Sequence, residues 1–366
     1  MKTIVHAVGA RPNFVKLAPV FDGLAQLGSF RQLLVHTGQH YDPRLSDHVL
    51  DDLGLPVPDR HLGVGSGTHA EQTGRIMIAF EQVLLKEQPD LVVVAGDVNS
   101  TLACALAAAK LGIPLAHIES GLRSFDWTMP EELNRVLTDR LSTLLFTHSP
   151  EASENLAREG IDPDRVHFVG NTMIDSLLRL VDRARERAAW RELELEPGAY
   201  LLVTLHRPSN VDDPGRLSAI VDALVELGAS HEIVFSVHPR TAAALDQAGA
   251  SERLAAAVRV LGPLGYLDFL SLETAARAML TDSGGIQEEA AALGIHCYTF
   301  RANTERPITI EVGANTLLGE DPAAIRKIRL DEQPPAPREI PLWDGRAGER
   351  TAAVIASALG SPSTRD

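Results

Sequence analysis

Leu91-Val92-Val93-Val94-Ala95-Gly96-Asp97-Val98-Asn99-Ser100-Thr101 joins an unbroken apolar run to a Gly-Asp pair and a string of small hydrogen-bonding residues. A short run rich in β-branched residues and closed by glycine reads as a strand buried on both faces, the kind found in the middle of a parallel sheet. A helical pattern over Leu102–Leu111 follows, then a second apolar run, Leu115–Ile118. Strand, crossover helix and strand make one β-α-β unit. The same alternation extends outward in both directions. Upstream lie strand candidates Thr3–Val8 and Gln32–His36, with helical stretches Phe14–Gln26 and Thr68–Lys86. Downstream lie Leu144–Thr147 and Val166–Val169, with a helix at Glu131–Leu141. The predicted fold class is therefore α/β, a parallel sheet covered by helices on both faces.

The rhythm pauses at Ile174–Leu195, which reads as one long charged helix, and Glu196-Pro197-Gly198 punctuates it. A fresh series starts with Tyr200–Leu205 and continues through Glu232–Val237, Val258–Leu261, Ala278–Thr281 and His296–Phe300. A chain of 366 residues is long for one core, so two domains are expected. The boundary is placed near residues 170–199, giving a first domain of residues 1–170 and a second of 171–346. The helical pattern Arg350–Leu359 lies in a C-terminal segment, about 347–366, expected to complete the first domain, with Ser361–Asp366 a frayed tail.

Lys and Arg number 34 against 49 Asp and Glu, a net charge of −15. Such a chain repels polyanions at long range, which argues against a nucleic-acid partner. Small phosphorylated ligands remain compatible, because local cations and helix N-termini hold them. Cys104 and Cys297 lie far apart, which disfavours a disulfide framework and a zinc cluster. Met1–Val5 runs straight into a strand pattern without signal-peptide anatomy, and no stretch is long and apolar enough to span a bilayer. The expectation is a cytoplasmic protein with no membrane partner.

Open α/β sheets bind ligands beyond the carboxyl ends of their strands, so polar residues there are the candidates. The first strand ends in Gly9-Ala10-Arg11-Pro12-Asn13, with Lys16 in the helix that follows. Two cations beside a helix N-terminus suit a diphosphate, although solvated cations on a surface turn would read the same. His36-Thr37-Gly38-Gln39-His40-Tyr41-Asp42 is dense in hydrogen-bonding groups, as a ligand loop or a capped turn, and its histidines lack metal-ligand spacing. Asp97 stands at the sheet edge as a reactive carboxylate or as a cap, and Ser100 or Thr101 are alternative caps. Glu119, in His117-Ile118-Glu119-Ser120-Gly121-Leu122-Arg123, falls just past a buried strand. Pro130 sets Glu131 and Glu132 in the first turn of a helix, where the dipole favours the ionised form. Converging on one cleft, Asp97, Glu119 and Glu131 would push their pKa values apart and supply a paired acid and base; separately solvated, they would not.

The second series repeats the logic. Tyr200–Leu205 ends in His206-Arg207-Pro208-Ser209-Asn210, which aims His206 across the cleft, and the next strand ends in His238-Pro239-Arg240. Thr281-Asp282-Ser283-Gly284-Gly285-Ile286-Gln287-Glu288-Glu289 is a strand end, a glycine turn and a helix. Gly284 and Gly285 let the backbone approach a pyrophosphate on the helix N-terminus, and Glu289, one turn in, can accept two ribose hydroxyls. An ordinary glycine-started helix is the plainer reading. Arg301 and Asn303–Pro307 form a last polar loop.

Taken in order, Gly9–Pro12 with Lys16, Gly38–His40, Gly96-Asp97, His117–Arg123, Pro130–Arg135, Gly170–Asp175, His206-Arg207, Thr281–Glu289 and Thr304–Pro307 resemble the non-hydrolysing UDP-N-acetylglucosamine 2-epimerases. The match runs from the first strand to about residue 320. It implies the GT-B fold, two Rossmann-like domains whose parallel sheets face a deep cleft. It also implies reversible conversion of UDP-N-acetylglucosamine to UDP-N-acetylmannosamine, with no cofactor, neither nicotinamide nor metal. In that family UDP is eliminated anti across sugar carbons 1 and 2, a 2-acetamidoglucal forms, and UDP adds back with the proton on the opposite face. By this resemblance Asp97, Glu119 and Glu131 look like the catalytic carboxylates, with His206 close to the reacting diphosphate and sugar. Arg11 and Lys16 look like phosphate and sugar contacts, Ser283, Gly284 and Gly285 the pyrophosphate turn, and Glu289 the ribose ligand. Arg306 matches a further substrate contact, and Phe269 a position beside the uracil. A homodimer and a role in cell-surface polysaccharide biosynthesis complete the expectation.

Departures sharpen it. Many members carry Glu where this chain has Asn13. Gln39-His40-Tyr41-Asp42 lacks the Gln-Met continuation of members activated by a second UDP-N-acetylglucosamine. Hydrolysing relatives usually read Ser-Arg-Ala-Glu in place of Ala10-Arg11-Pro12-Asn13, which disfavours a UDP-releasing enzyme. The rival readings are an epimerase of another UDP-2-acetamido sugar, a glycosyltransferase of the same fold, and a nucleotide-sugar-binding regulator without turnover.

Overall fold

The computed structural model describes residues 1–38, 50–332 and 336–360. The loop Gln39–Asp42 and the tail Ser361–Asp366 lie outside the described residues. The chain divides into two compact units, Met1–Arg179 with Ile340–Asp366, and Leu180–Glu339.

In the first unit, β1 (Lys2–Val8), β2 (Phe30–His36), β3 (Arg60–His61), β4 (Leu91–Ala95), β5 (Leu115–Ile118), β6 (Leu144–Thr147) and β7 (Val166–Phe168) form one seven-stranded sheet in the order β3-β2-β1-β4-β5-β6-β7. Every pairing is parallel. The chain builds outward from β1 in one direction, then returns to lay β4 on its other side. The crevice at such a reversal is where doubly wound sheets bind ligands, and here it is flanked by the turns after β1 and β4. β4 is buried along its whole length. Its Val92 and Val94 pack with Ile76, Phe80, Ala103, Cys104 and Ala107 from the covering helices His69–Glu87 and Asn99–Lys110. Burying a valine or leucine this fully stabilises by about 1.5–3 kcal/mol per side chain, which is why an apolar run sits here.

The second unit holds β8 (Tyr200–Thr204), β9 (Glu232–Ser236), β10 (Arg259–Leu261), β11 (Ala278–Thr281), β12 (His296–Thr299) and β13 (Asn315–Leu317), in the order β10-β9-β8-β11-β12-β13. All pairings are again parallel. The reversal falls between β8 and β11, which end in register at Thr204 and Thr281 with their hydroxyls 2.8 Å apart.

Several local expectations change. The helix after β4 starts at Asn99 with Val98 as N-cap and no side-chain cap bond. Thr101, one of the expected caps, instead donates its hydroxyl to the Ala95 carbonyl at 2.9 Å, tying the helix to the strand end. The long helix expected over Ile174–Leu195 breaks in two, Thr172–Arg187 and Ala189–Glu192, because Ala188 adopts a left-handed φ of 43°. The units divide inside the first of these helices, at 179/180, within residues 170–199. Ser176 Oγ, donating to the Val15 carbonyl at 2.6 Å, fastens its first half to the first unit.

The last helix, Ala347–Gly360, packs on Arg11–Leu27 of the first unit. The approach is close enough that a Cβ on Gly348 would stand 2.4 Å from the Pro19 carbonyl oxygen. Asp175 accepts the Gly348 N–H at 2.7 Å, and burial pushes its carboxyl up to about 6. Among the described residues no helix is long and apolar enough to cross a membrane.

Candidate active site

The first unit gathers its candidates at the β1/β4 reversal. Gly96, the residue after β4, has a φ of 68°, where a side chain is strained. A Cβ there would also lie 3.2 Å from Lys16 Nζ and 3.4 Å from both Asn13 Nδ2 and Glu119 Oε2. These distances define the pocket wall: Asn13 and Lys16 from the helix Arg11–Leu27, and Glu119 from the end of β5. Asn13 is held by its own bonds, donating to the Ala95 carbonyl at 2.8 Å and accepting the Ala10 N–H at 3.0 Å. Glu119 and Lys16 form a buried ion pair. Glu119 takes a φ of 68°, rare for a residue with a side chain. Strain of this kind persists where surrounding structure over-determines it, and it clusters at functional sites.

A second pair stands beside the first. Asp97, partly exposed, accepts from Arg135 Nη2 at 2.5 Å, and Asn134 donates to the Asp97 carbonyl at 2.9 Å. Arg135 is in turn fixed by Glu132 at 2.6 Å. Glu132 is fully engaged, accepting the Ser124 N–H and hydroxyl and the Phe125 N–H, each at 2.9 Å. Its neighbour Glu131 is half-buried in the first turn of Pro130–Leu141 and has no hydrogen-bond or ion-pair partner among the described residues. The two adjacent glutamates thus differ: Glu132 clamps the loop, and Glu131 does not. The expected mutual coupling of Asp97, Glu119 and Glu131 takes another form. Asp97 and Glu119 are each matched by a cation, Arg135 and Lys16. Lys16, expected on phosphate and sugar, meets the Glu119 carboxylate. Arg11 begins its helix, and its side chain lies outside the described part.

Behind these groups runs a buried chain that joins His117 and Arg123, both in the motif around Glu119, to Asp139, which the sequence did not single out. His117, on β5, meets the Gly96 carbonyl through Nε2 at 2.8 Å and Asp139 through Nδ1 at 2.6 Å. Both partners are acceptors, one a backbone carbonyl and the other a carboxylate. Asp139 also accepts from Gly121 N at 3.0 Å and Arg123 Nη1 at 2.8 Å. Burial alone would raise the Asp139 carboxyl, but His117 and Arg123 hold it below the usual carboxylate range. The His117–Asp139 pair therefore braces both turns, the one before Asp97 through the Gly96 carbonyl and the one after Glu119 through Gly121 N.

The second unit is arranged around Asp282, just past β11. It accepts the backbone N–H of His206 at 3.0 Å and of Arg207 at 2.9 Å, and Asn210 Nδ2 at 3.0 Å. His206 Nδ1 lies 3.0 Å from Asp282 Oδ1. Burial would push Asp282 up, but His206, Asn210 and the backbone donors hold it below its ordinary value. The imidazole is thereby oriented with Nε2 away from Asp282, and 40% of the side chain is exposed. Ser283 is the N-cap of the helix Gly284–Leu293 but makes no side-chain cap bond, so the first-turn N–H groups keep their capacity for an anion. Gly284 is required by its surroundings: a Cβ would lie 2.9 Å from Arg306 Cζ. Gly285 follows, half-buried. Arg306 is itself buried, with Nε donating to Glu288 at 3.1 Å and Nη1 to Glu305 at 2.8 Å. It supports the glycine turn from behind. Glu289 is buried and accepts from the Tyr266 hydroxyl at 2.9 Å, and Phe269, half-buried, packs on the same helix's apolar cluster.

The profile described as UDP-N-acetylglucosamine 2-epimerase matches residues 23–356. The UDP-N-acetylglucosamine 2-epimerase of Methanocaldococcus jannaschii is 43% identical over 357 residues, covering 95% of this chain and 97% of that one. The UDP-2,3-diacetamido-2,3-dideoxy-D-glucuronate 2-epimerase of Pseudomonas aeruginosa is 43% identical over 319 residues, 86% of this chain and 88% of that one. The crystal structure of the M. jannaschii enzyme in complex with UDP-GlcNAc and UDP superposes with a TM-score of 0.89 at 42% identity, covering 98% of this chain and all of that one. An S. aureus MnaA–UDP structure superposes at 0.88 with 30% identity, over the whole of both chains. The two parallel-sheet domains are of the GT-B type seen in these enzymes. With the profile running through nearly all of the sequence and both domains matched in solved relatives, the chain belongs to the UDP-N-acetylglucosamine 2-epimerase family.

Proposed function

We propose that the protein interconverts UDP-N-acetylglucosamine and UDP-N-acetylmannosamine through elimination and re-addition of UDP. The observation that carries this reading is Glu119, held in a left-handed backbone conformation against Lys16 at the reversal of the first sheet. A base takes the proton from sugar carbon 2, and the C–H electron pair becomes the carbon 1–carbon 2 double bond. The carbon 1–oxygen bond breaks, and its electrons leave on the β-phosphate of UDP. In the return step UDP attacks carbon 1, and an acid delivers a proton to the other face of carbon 2. Asp97, Glu119 and Glu131 are the first domain's candidates for that acid and base. In the second domain, the open N-terminus of Gly284–Leu293 with Ser283, Gly284 and Gly285 holds the pyrophosphate. His206 stands at its edge, Glu289 takes the ribose and Phe269 adjoins the uracil. Arg306 acts through the glycine turn. The working protein is a homodimer of the cytoplasm, supplying precursor for surface polysaccharide.

Incubation with UDP-N-acetylglucosamine alone in deuterium oxide tests this. Epimer should accumulate to a fixed ratio with deuterium at carbon 2. Free UDP with N-acetylmannosamine as the main products would assign a hydrolase, and no reaction without an acceptor a transferase. The P. aeruginosa relative, equal in identity, favours one second reading, a UDP-diacetamido uronic acid as substrate. Comparing kcat/KM for the two sugars on one preparation decides between them.

A further inference from the structure

Donors from three residues converge on the Asp282 carboxylate, and the Asn210 amide is the one that comes from neither His206 nor Arg207. Asn210 is buried on the short helix Pro208–Val211. Its Nδ2 donates to Asp282 Oδ2 at 3.0 Å and to the Phe300 carbonyl at 3.1 Å. An amide nitrogen has two hydrogens, and these bonds use both. Asn210 Oδ1 accepts from Arg216, from Nη2 at 2.9 Å and Nε at 3.3 Å. A guanidinium only donates, and a carboxylate and a carbonyl only accept, so the amide fits in one orientation. Arg216 lies in the first turn of the helix Pro214–Gly228, where the dipole disfavours a cation. The ring of Phe300, its centroid 5.4 Å from Arg216 Cζ, gives the guanidinium a face to rest on. Asp282 is itself buried. With Oδ2 taken by Asn210 and by Arg207 N at 2.9 Å, the plane of the carboxyl group is pinned, and Oδ1 is aimed at His206 Nδ1, 3.0 Å away.

We propose that Asn210 and Arg216 are positioning residues for His206: Arg216 fixes the Asn210 amide, Asn210 fixes the Asp282 carboxylate, and Asp282 holds the imidazole in its Nδ1–H form with Nε2 as the atom offered to the diphosphate. The proposal rests on the reading of His206 as a group at the reacting diphosphate. The hydrogen bond made by one ring nitrogen decides the state of the other. With the proton on Nδ1, a neutral ring presents a lone pair at Nε2, which can take up a proton and return it. In the opposite tautomer Nδ1 would set a lone pair against the carboxylate, and Nε2 could only donate. Loosening Asn210 should therefore slow turnover more than it weakens binding.

Full-length protein carrying nitrogen-15 histidine tests this. Two-bond proton–nitrogen spectra show which ring nitrogen holds the proton, and the His206 signals are those missing from His206→Gln. With the pH raised until these signals stop moving, wild type should show the proton on Nδ1. Asn210→Leu, similar in size, should show both tautomers in exchange, with kcat for epimerisation down about tenfold and KM within about twofold. Arg216→Met should move both readings the same way by less, about threefold in kcat, and Arg216→Lys, which restores a cationic donor, should return to within about twofold of wild type. Arg216 is half-buried at the start of its helix, so its variants cover a failure of Asn210→Leu to fold. A merely structural role would lower the melting temperature and leave the tautomer as in wild type. A proton on Nε2 in wild type, or an unchanged tautomer or kcat in both Asn210→Leu and Arg216→Met, overturns the proposal. The spectra need no substrate, and His206→Gln tests the underlying reading separately: normal turnover in that variant would remove His206 from the reaction whatever its tautomer.

Discussion

Glu119 and Glu289 occupy comparable places, each a buried glutamate near the strand reversal of its own sheet, yet their surroundings are opposite. Glu119 faces an ammonium, with a second carboxylate–arginine pair, Asp97–Arg135, in the same shell. Glu289 faces a phenol and another acid. An ion pair keeps a carboxylate charged and ready to exchange a proton with something that displaces its partner. A phenol gives a carboxylate one neutral donor, at 2.9 Å from Tyr266. On the function proposed above, the first arrangement serves proton transfer and the second holds hydroxyls, one kind of side chain for chemistry in one domain and for recognition in the other.

The sharpest way to break this comparison is Glu119→Gln. Gln keeps the size and hydrogen bonding but exchanges no proton, so turnover should fall on the order of a hundred- to ten-thousand-fold. UDP affinity, assigned to the second domain, should stay nearly unchanged. Turnover, calorimetry with UDP and a melting curve on the same protein decide it, and near-normal turnover would remove Glu119 from the mechanism.

Asp139→Asn attacks the brace rather than the actor. It removes the charge that His117 and Arg123 share, and breaking a buried pair costs about 3–5 kcal/mol. Denaturant unfolding should show the loss. A loss under about 1 kcal/mol would mean the network is not tied as described.

Asp175 is a buried acid of the first domain pushed up to about 6 by burial. The native state holds its proton more tightly than the unfolded chain does. Unfolding therefore releases a proton between the ordinary carboxylate pKa and about 6, and this group's contribution to stability declines as pH rises through that window, then stays level. Asp175→Asn should abolish the slope and be more stable at pH 7, by on the order of 2 kcal/mol. Stability curves at pH 4.5 and 7 for both proteins measure it, and an unchanged slope would refute the assignment.

The smallest effects come from two glycines. Gly96→Ala forces a left-handed alanine, at about 1–2 kcal/mol, and presses on Lys16, so turnover and melting temperature should both fall. Gly284→Ala has no such backbone penalty but crowds Arg306. It should weaken UDP about tenfold, roughly 1.4 kcal/mol, with little change in melting temperature. The same pattern in both variants would erase the division of labour.

What the sequence makes legible follows from locality. The run Leu91–Ala95 is readable because a strand buried on both faces must be apolar along its whole length, and Gly96-Asp97 because the strand has to stop there. β3, two residues long, and β13, three residues with Asn315 and Thr316, carry too little pattern to be seen. The break at Ala188 is invisible because alanine favours helix; the turn is fixed from afar, where Ala189 N donates to Ser271 Oγ at 2.9 Å. Among the site residues, Asp97, Glu119 and His206 announce themselves at strand ends. Glu132 is visible in the first turn after Pro130, but its clamp on Ser124 and Phe125 is not, and Asp139 sits mid-pattern on the same helix with His117 22 residues away, so nothing local marks it.

The second domain is one uninterrupted stretch, residues 180–339, whereas the first is split, its last helix arriving only at residues 347–360. On the ribosome the later domain therefore has its whole sequence available first. The earlier one waits with the face of Arg11–Leu27 that receives Ala347–Gly360 uncovered until synthesis reaches the final helix. A nascent chain stalled after residue 339 would hold the complete second domain and an open first one, so aggregation or chaperone capture during synthesis should concentrate on the part of the protein made first.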